Sequence, residues 1–279
     1  MTPDRPTVAA RAARRARRAR LALPLLALAA AAAIAAACSE TGTDPDAPVS
    51  IAFDSLPAPA VAAGDTLRDD STGVVMPLRA LAFNGRNQVV PNAPFTYFVR
   101  DTGSALRIAS GNYVVAGPTS RKDSVGIVAT LGVLQLTRGI FVVPKPDTLR
   151  AADDSVKTLA LGDSARTSEE VAARVVHDSL GADTVPVRGW VVFFSVVSAG
   201  TSLADSVRLV DAAGSAKASA TSDADGRAAI RVRVFPKKVT RPADTTFVFH
   251  DSVVVSAVAR YQGKDVPAGG IRLALPLIK

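Results

Sequence analysis

Three groups of residues in this 279-residue chain are of types that do chemistry: two His-Asp-Ser tripeptides, an aspartate-rich turn and a solitary cysteine. The tripeptides, His177-Asp178-Ser179 and His250-Asp251-Ser252, hold both histidines of the chain. A nucleophilic triad is assembled in space from separate segments, whereas neighbours on a strand point to opposite faces. A consecutive His-Asp-Ser is therefore not itself a triad, and both copies read as solvated strand ends. Neither histidine has a cysteine or a second histidine at ligand spacing, so zinc has no sequence case. The turn Asp223-Ala224-Asp225-Gly226 invites a calcium reading, but an EF-hand loop would need an acid where Thr221 stands and a bidentate Glu where Val232 stands. The acid pairs Asp69-Asp70 and Asp153-Asp154 suit weak calcium binding and solvated turns equally. No glycine-rich phosphate loop occurs, and Gly269-Gly270 reads as a turn between late strands. These residue types point to no enzyme, no cofactor and no metal.

The cysteine is Cys38, the only one in the chain, and what precedes it has three parts. Residues 1–20 carry seven arginines against one acid, Asp4; residues 21–37 are wholly apolar; Ala35-Ala36-Ala37 then leads into Cys38. A charged region, an apolar region and a small-residue cleavage site make a secretory signal. An uncleaved membrane anchor wants about 20 apolar residues; this run has 17, with Pro24 inside it. The cysteine at the first mature position resembles the lipobox of bacterial lipoproteins, departing from it in having Ala35 where Leu or Val is usual. The resemblance implies acylation at Cys38 and anchoring by two or three acyl chains. Ser39 in the next position makes the outer membrane the default destination. Removing residues 1–37 takes seven of 33 bases and one of 25 acids, leaving 26 against 24. The strongly basic character belongs to the leader, and nucleic acid loses its main support as a partner. With one cysteine no intramolecular disulfide can form, so the mature fold rests on apolar cores.

Residues 38–48 comprise the cysteine and a small, acidic, turn-forming segment that reads as a flexible tether. The remainder suits two domains, and an internal repeat agrees. The segment from Asp54, DSLPAPAVAAGDTL, recurs from Asp147 as DTLRAADDSVKTLALGDSA, and Val90-Pro91 matches Val185-Pro186. We place the boundary at Pro144-Lys145-Pro146, giving domains 49–145 and 146–279. Both have the texture of an all-β fold: short Val/Ile/Phe/Tyr-rich runs bounded by Gly, Asn, Asp or Pro, the pattern of a sandwich or barrel. Among the expected strands are 74–83, 94–100, 112–117, 123–131 and 134–143, then 187–197, 206–211, 216–221, 227–235, 246–261 and 271–278. In 227–235, Ile230, Val232 and Val234 alternate with Arg231 and Arg233 and should be buried against exposed arginine. TSEEVAARVVHD (167–178) is ambiguous: Ser168 could cap a helix, with Val171 and Val175 at helical spacing, but by analogy with 74–83 we assign a strand. Asp225-Gly226 reads as a hairpin turn with Gly226 at positive φ.

Two stretches of the second unit, WVVFFSV (190–196) and TSDADGRAAIRV (221–232), resemble bacterial immunoglobulin-like domains of the invasin–intimin type. The first unit, with Gly64-Asp65-Thr66 and an Asn84-Gly85 turn, is similar to other bacterial Ig-like domains. The resemblance implies two tandem Ig-like β-sandwiches acting as a non-catalytic surface adhesion, display or structural module, with Trp190 as a core aromatic. Its implied partners are membrane lipid at Cys38 and an unidentified protein or glycan. A carbohydrate-binding sandwich is the alternative, and would present an exposed aromatic row, with Tyr113 and Tyr261 as the open candidates. An envelope hydrolase component would need titratable groups converging in one cleft.

Overall fold

A computed structural model of the chain describes residues 44–101, 103, 105–153, 157–160, 165–178, 184–199, 206–235 and 252–278. Cys38, the leader, Ser179 and His250-Asp251 lie outside the described residues. The first half contains β1 (Pro48–Ser55), β2 (Ala60–Ala62), β3 (Arg79–Asn84), β4 (Val89–Val90), β5 (Thr96–Val99), β6 (Leu106–Ala109), β7 (Tyr113–Ala116), β8 (Ser124–Leu131) and β9 (Leu134–Val143). The second contains β10 (Thr148–Ala151), β11 (Leu159–Ala160), β12 (Arg166–Asp178), β13 (Thr184–Pro186), β14 (Val191–Ser198), β15 (Val207–Val210), β16 (Ser219–Thr221), β17 (Arg227–Val234), β18 (Ser252–Tyr261) and β19 (Lys264–Ile278). The fold is all-β and Ig-like: antiparallel sheets packed face to face around apolar layers.

In the second half, the sheet β10-β12-β17-β15 faces the sheet β11-β19-β18-β14-β16, and β13 adds to β12. Period-two sequence builds the core between them. Ala228, Ile230, Val232 and Val234 point inward from β17, opposite Val253, Val255, Ala257 and Ala259 of β18. Each fully buried Val or Ile contributes about 1.5–3 kcal/mol.

The first half repeats this plan with smaller sheets: β1-β3-β4 against β2-β9-β8-β5, with β6-β7 as a separate hairpin. In each half a short strand pairs parallel to the last one, β2 with β9 and β11 with β19, and the remaining ladders are antiparallel. Among the described residues, no ladder joins a strand before Pro144 to one after Pro146. The cores are nonetheless continuous in packing, since Ala60 and Val143 belong to the second half's cluster.

Several elements differ from the sequence reading. Strand β1 begins at Pro48, inside the segment expected to be tether, because Pro48 pairs with Asn84. The run 74–83 is a strand only from Arg79; Pro77 offers no N–H to a ladder, and Leu78 instead donates its N–H to Asn112 at 2.9 Å. Residues 167–178 form a strand, paired on one side with β10 and on the other with β17. Val171, Ala173 and Val175 all face the core, a period of two that helical spacing of Val171 and Val175 alone concealed. At the bulge between Thr167 and Glu170, Ser168 accepts the N–H of Val232 through Oγ at 2.9 Å. The residue that suggested a helix cap thus repairs an interrupted ladder.

Candidate functional site

Polar and aromatic groups converge at the junction of the two halves. Its centre is the β18–β19 hairpin, whose two turn residues Gln262 and Gly263 have φ of 52° and 76°. Positive φ at both positions makes a turn that follows the strand twist and projects Tyr261, Gln262 and Gly263 onto the loop 65–73. There Arg260 Nη1 donates to Ser71 O at 2.8 Å, and Gln262 Nε2 donates to Asp65 Oδ2 at 3.0 Å. Gly73 and Gly263 meet backbone to backbone: a Cβ on Gly73 would lie 2.0 Å from Gly263 N. On a second side, a Cβ on Gly189 would lie 2.7 Å from the Phe141 ring, over which Arg188 stacks at 4.5 Å.

The loop 65–73 is held ready by its own acids. Asp69 Oδ1 accepts from the N–H and hydroxyl groups of both Ser71 and Thr72, at 2.6–3.1 Å. Hydrogen bonds from Ser71 hold Asp69 below the usual carboxylate range, while burial and the adjacent Asp69 charge push Asp70 up. Burial pushes Asp65 up as well, but hydrogen bonds from Gln262, Arg68 and Thr66 outweigh it and leave Asp65 lowered. Burial and the Asp65 charge push the Tyr261 hydroxyl up. The cavity remaining at this junction is about 30 Å³, room for little more than a water molecule. Its geometry suits a fixed joint between two bodies.

The sequence-predicted residues fall around this joint or away from it. Trp190 is half-buried at the edge of the second core, not at its centre; it precedes β14, donates Nε1–H to Arg260 O at 3.1 Å, and stands 6.3 Å from the Tyr261 ring. The expected core aromatic packs against the second core from its edge and holds the base of the β18–β19 hairpin. Gly226 has φ of 73°, and a Cβ there would lie 2.4 Å from Val175 O. Asp225 donates its N–H to Asp223 Oδ1 at 2.9 Å, which also takes the N–H of Arg227 at 2.9 Å. The hairpin expectation needs correction: β16 joins β14 and β17 joins β12 and β15, so the turn crosses between sheets instead of linking paired strands.

His177 Nδ1 lies 2.8 Å from Asp147 Oδ2, while Asp178 accepts from Thr148 Oγ1 and Arg150, clamping the end of β12 to the start of β10. Among the described residues no group of three His, Cys, Asp or Glu side chains is placed to hold a metal.

The first half also carries an open trough of about 540 Å³ along β3, lined by Pro94, Phe95 and Tyr97. Phe95 and Tyr97 stack with centroids 6.3 Å apart. Tyr97, Tyr113, Tyr261 and Trp190 are all half-buried, neither sealed in the core nor set out as a flat row.

What sequence reasoning missed is the joint itself. Asp65, Arg260, Gln262, Gly73 and Gly263 build it from segments about 190 residues apart. The only local signal was Gly263 after the apolar alternation of β18, since Gln262-Gly263 lacks the Asn or Asp that marks a two-residue turn.

No protein-family model matches the chain, and no curated protein matches it. Among solved structures, it is similar to surface layer protein SbsC, domains 4–9, at 11% identity and a TM-score of 0.28 over 83% of this chain and 31% of that one. The chain thus spans less than a third of that structure. It is similar also to domains 5–6 of SbsC (11% identity, TM-score 0.28, 84% of this chain and 98% of that one). A third is the Escherichia coli adhesin FdeC (14% identity, TM-score 0.28, 82% and 63%). At these TM-scores the superpositions carry no argument, and the Ig-like assignment rests on the sheets and cores described above.

Proposed function

We propose that this chain is a lipid-anchored, non-catalytic module of the bacterial cell envelope, in which two Ig-like domains, 49–145 and 146–279, form a fixed spacer or display arm. The observation that carries it is the joint. The β18–β19 hairpin, the loop 65–73, an ion-paired acid and two glycines in backbone contact fill the space between the halves, as a spacer that must hold direction requires. The anchor belongs to the same reading and rests on the leader and Cys38, with Ser39 favouring the outer membrane. Adhesion or scaffolding would use exposed loops and strand edges and need no converging catalytic groups.

Cell fractionation tests the anchor. The native protein should sediment with membranes and Cys38→Ser should be released; if both fractionate alike, lipid anchoring is wrong. Protease added to intact cells then separates surface display, in which the domains are cleaved, from a periplasmic location, in which they are protected.

A further inference from the structure

One face of the second half has a composition that its structural role does not explain. The strands β10, β12, β17 and β15 contain seven arginines and no lysine, whereas the equivalent first-half strands β1, β3 and β4 contain Arg79 alone. Six of the seven (Arg150, Arg174, Arg208, Arg227, Arg231 and Arg233) share the outer face, opposite the inward Ile and Val positions. Register sets them against one another: Arg150 pairs with Arg174, Arg174 with Arg227, and Arg208 with Arg233. Like charges directly opposite across a ladder are destabilising, and this face has three such pairs.

The acids nearby relieve only part of the repulsion. Glu170 bridges Arg227 and Arg231 at 2.8 and 3.5 Å, Asp178 holds Arg150 at 2.9 Å, and Asp153 approaches Arg227 at 4.0 Å. Among the described residues, six guanidinium groups face three carboxylates, a surplus of three. Arg174 and Arg208 are exposed and have no acid partner among the described residues. Phe235 lies under both Arg208 and Arg233, with the charges 5.5 and 5.0 Å from its ring, which steadies their planes.

We propose that this face binds an extended anionic polysaccharide, its carboxylate or sulfate groups taking up Arg174, Arg208 and their opposed partners. Arginine in place of lysine suits planar, two-pronged recognition of such groups. Strand spacing puts the Arg150-Arg174-Arg227 row about 10 Å across, and the seven residues from Arg227 to Arg233 run about 20 Å along the strand. That is a flat track for a chain with repeating charges. A single-stranded nucleic acid would want rings free for base stacking, and among the described residues the ring on this face, Phe235, is occupied by two arginines. The inference stands on these residues alone and does not depend on the anchor or the joint.

The test is binding of the full chain to polygalacturonate and to heparin, compared with Arg174→Ser/Arg208→Ser and with a first-half control, Arg107→Ser/Arg138→Ser. All three carry the same leader arginines, and unfolding midpoints establish that the variants are folded. The second-half pair should bind either polymer at least tenfold more weakly, and the control pair as tightly as the unaltered chain. Binding to one polymer alone, with the same loss in the variant, would name carboxylate or sulfate as the recognised group. No retention at low salt, equal losses in both pairs, or equal affinity for oligothymidylate would overturn the proposal.

Discussion

The turns Asn84–Gln88 in the first half and Asp223–Arg227 in the second are hydrogen-bonded alike but surrounded differently. In each, the first side chain accepts two backbone N–H groups through one oxygen, and the fourth residue has positive φ: 59° at Asn87 and 73° at Gly226. The first links paired strands β3 and β4, with Asn84 buried and residues 85–88 exposed. The second crosses between sheets and is pressed against Val175 O, Pro186 and Val187. Local chemistry makes the turn; packing decides which residue can occupy it. An asparagine meets the backbone requirement at the exposed position 87, whereas the buried position 226 also demands that no Cβ be present.

Breaking the turn at the buried Gly226 should have the largest effect. Gly226→Val combines a left-handed backbone penalty with a steric collision, and should cost about 2–5 kcal/mol; Asn87→Gly should shift stability by less than about 1 kcal/mol. Chemical denaturation of the two variants measures the contrast, and equal losses would dissolve it. Next in size is the other close approach, at the joint. Gly73→Val cannot keep its contact with Gly263, so the halves should part while each stays folded, seen as new protease cleavage around Pro144–Asp147. Smaller again, Asp223→Ala removes an acceptor of two N–H groups and should cost about 1–2 kcal/mol, with Asn84→Ala at or below that range.

The smallest effect is a pH dependence. Because Asp65 is held below its ordinary value of 3.8, its contribution is whole above that pH and is lost as pH falls through the lower folded value. The joint should therefore loosen on acidification, and Asp65→Asn should remove that part of the pH profile.

The same contrast between local and distant determinants separates what could be read in the sequence from what could not. β17 (Arg227–Val234) was legible because period-two alternation against one core is a local property, and β9 (Leu134–Val143) because its apolar run, with Ile140 and Val142 on one core and Val143 on the other, is bounded by a turn and by Pro144. The all-β character followed from the same signal. β2 and β11 were not, since three- and two-residue strands of Ala, Val and Leu carry no pattern and form only by pairing with the last strand of their half. β12 was equivocal because Val171 and Val175 fit both periods until Ala173 was seen inward. Gly226 was readable as a turn glycine from Asp-Gly alone, but its collision with Val175 O was not. Trp190 read as core because it adjoins an apolar strand, and it does pack on that core; its hydrogen bond to Arg260 O, 70 residues away, carried no local signal. The joint lay beyond reach: Asp65 meets Gln262 across 197 residues.

The central claim is that the two sandwiches behave as one rigid body. The most direct measurement is the distance distribution between spin labels at Val133→Cys and Arg208→Cys, both exposed positions in opposite halves, in a Cys38→Ser background. A single narrow distance that broadens when Gly73→Val is added is the predicted result. A broad distribution in the unaltered joint, unchanged by Gly73→Val, would contradict the account and leave two sandwiches on a hinge.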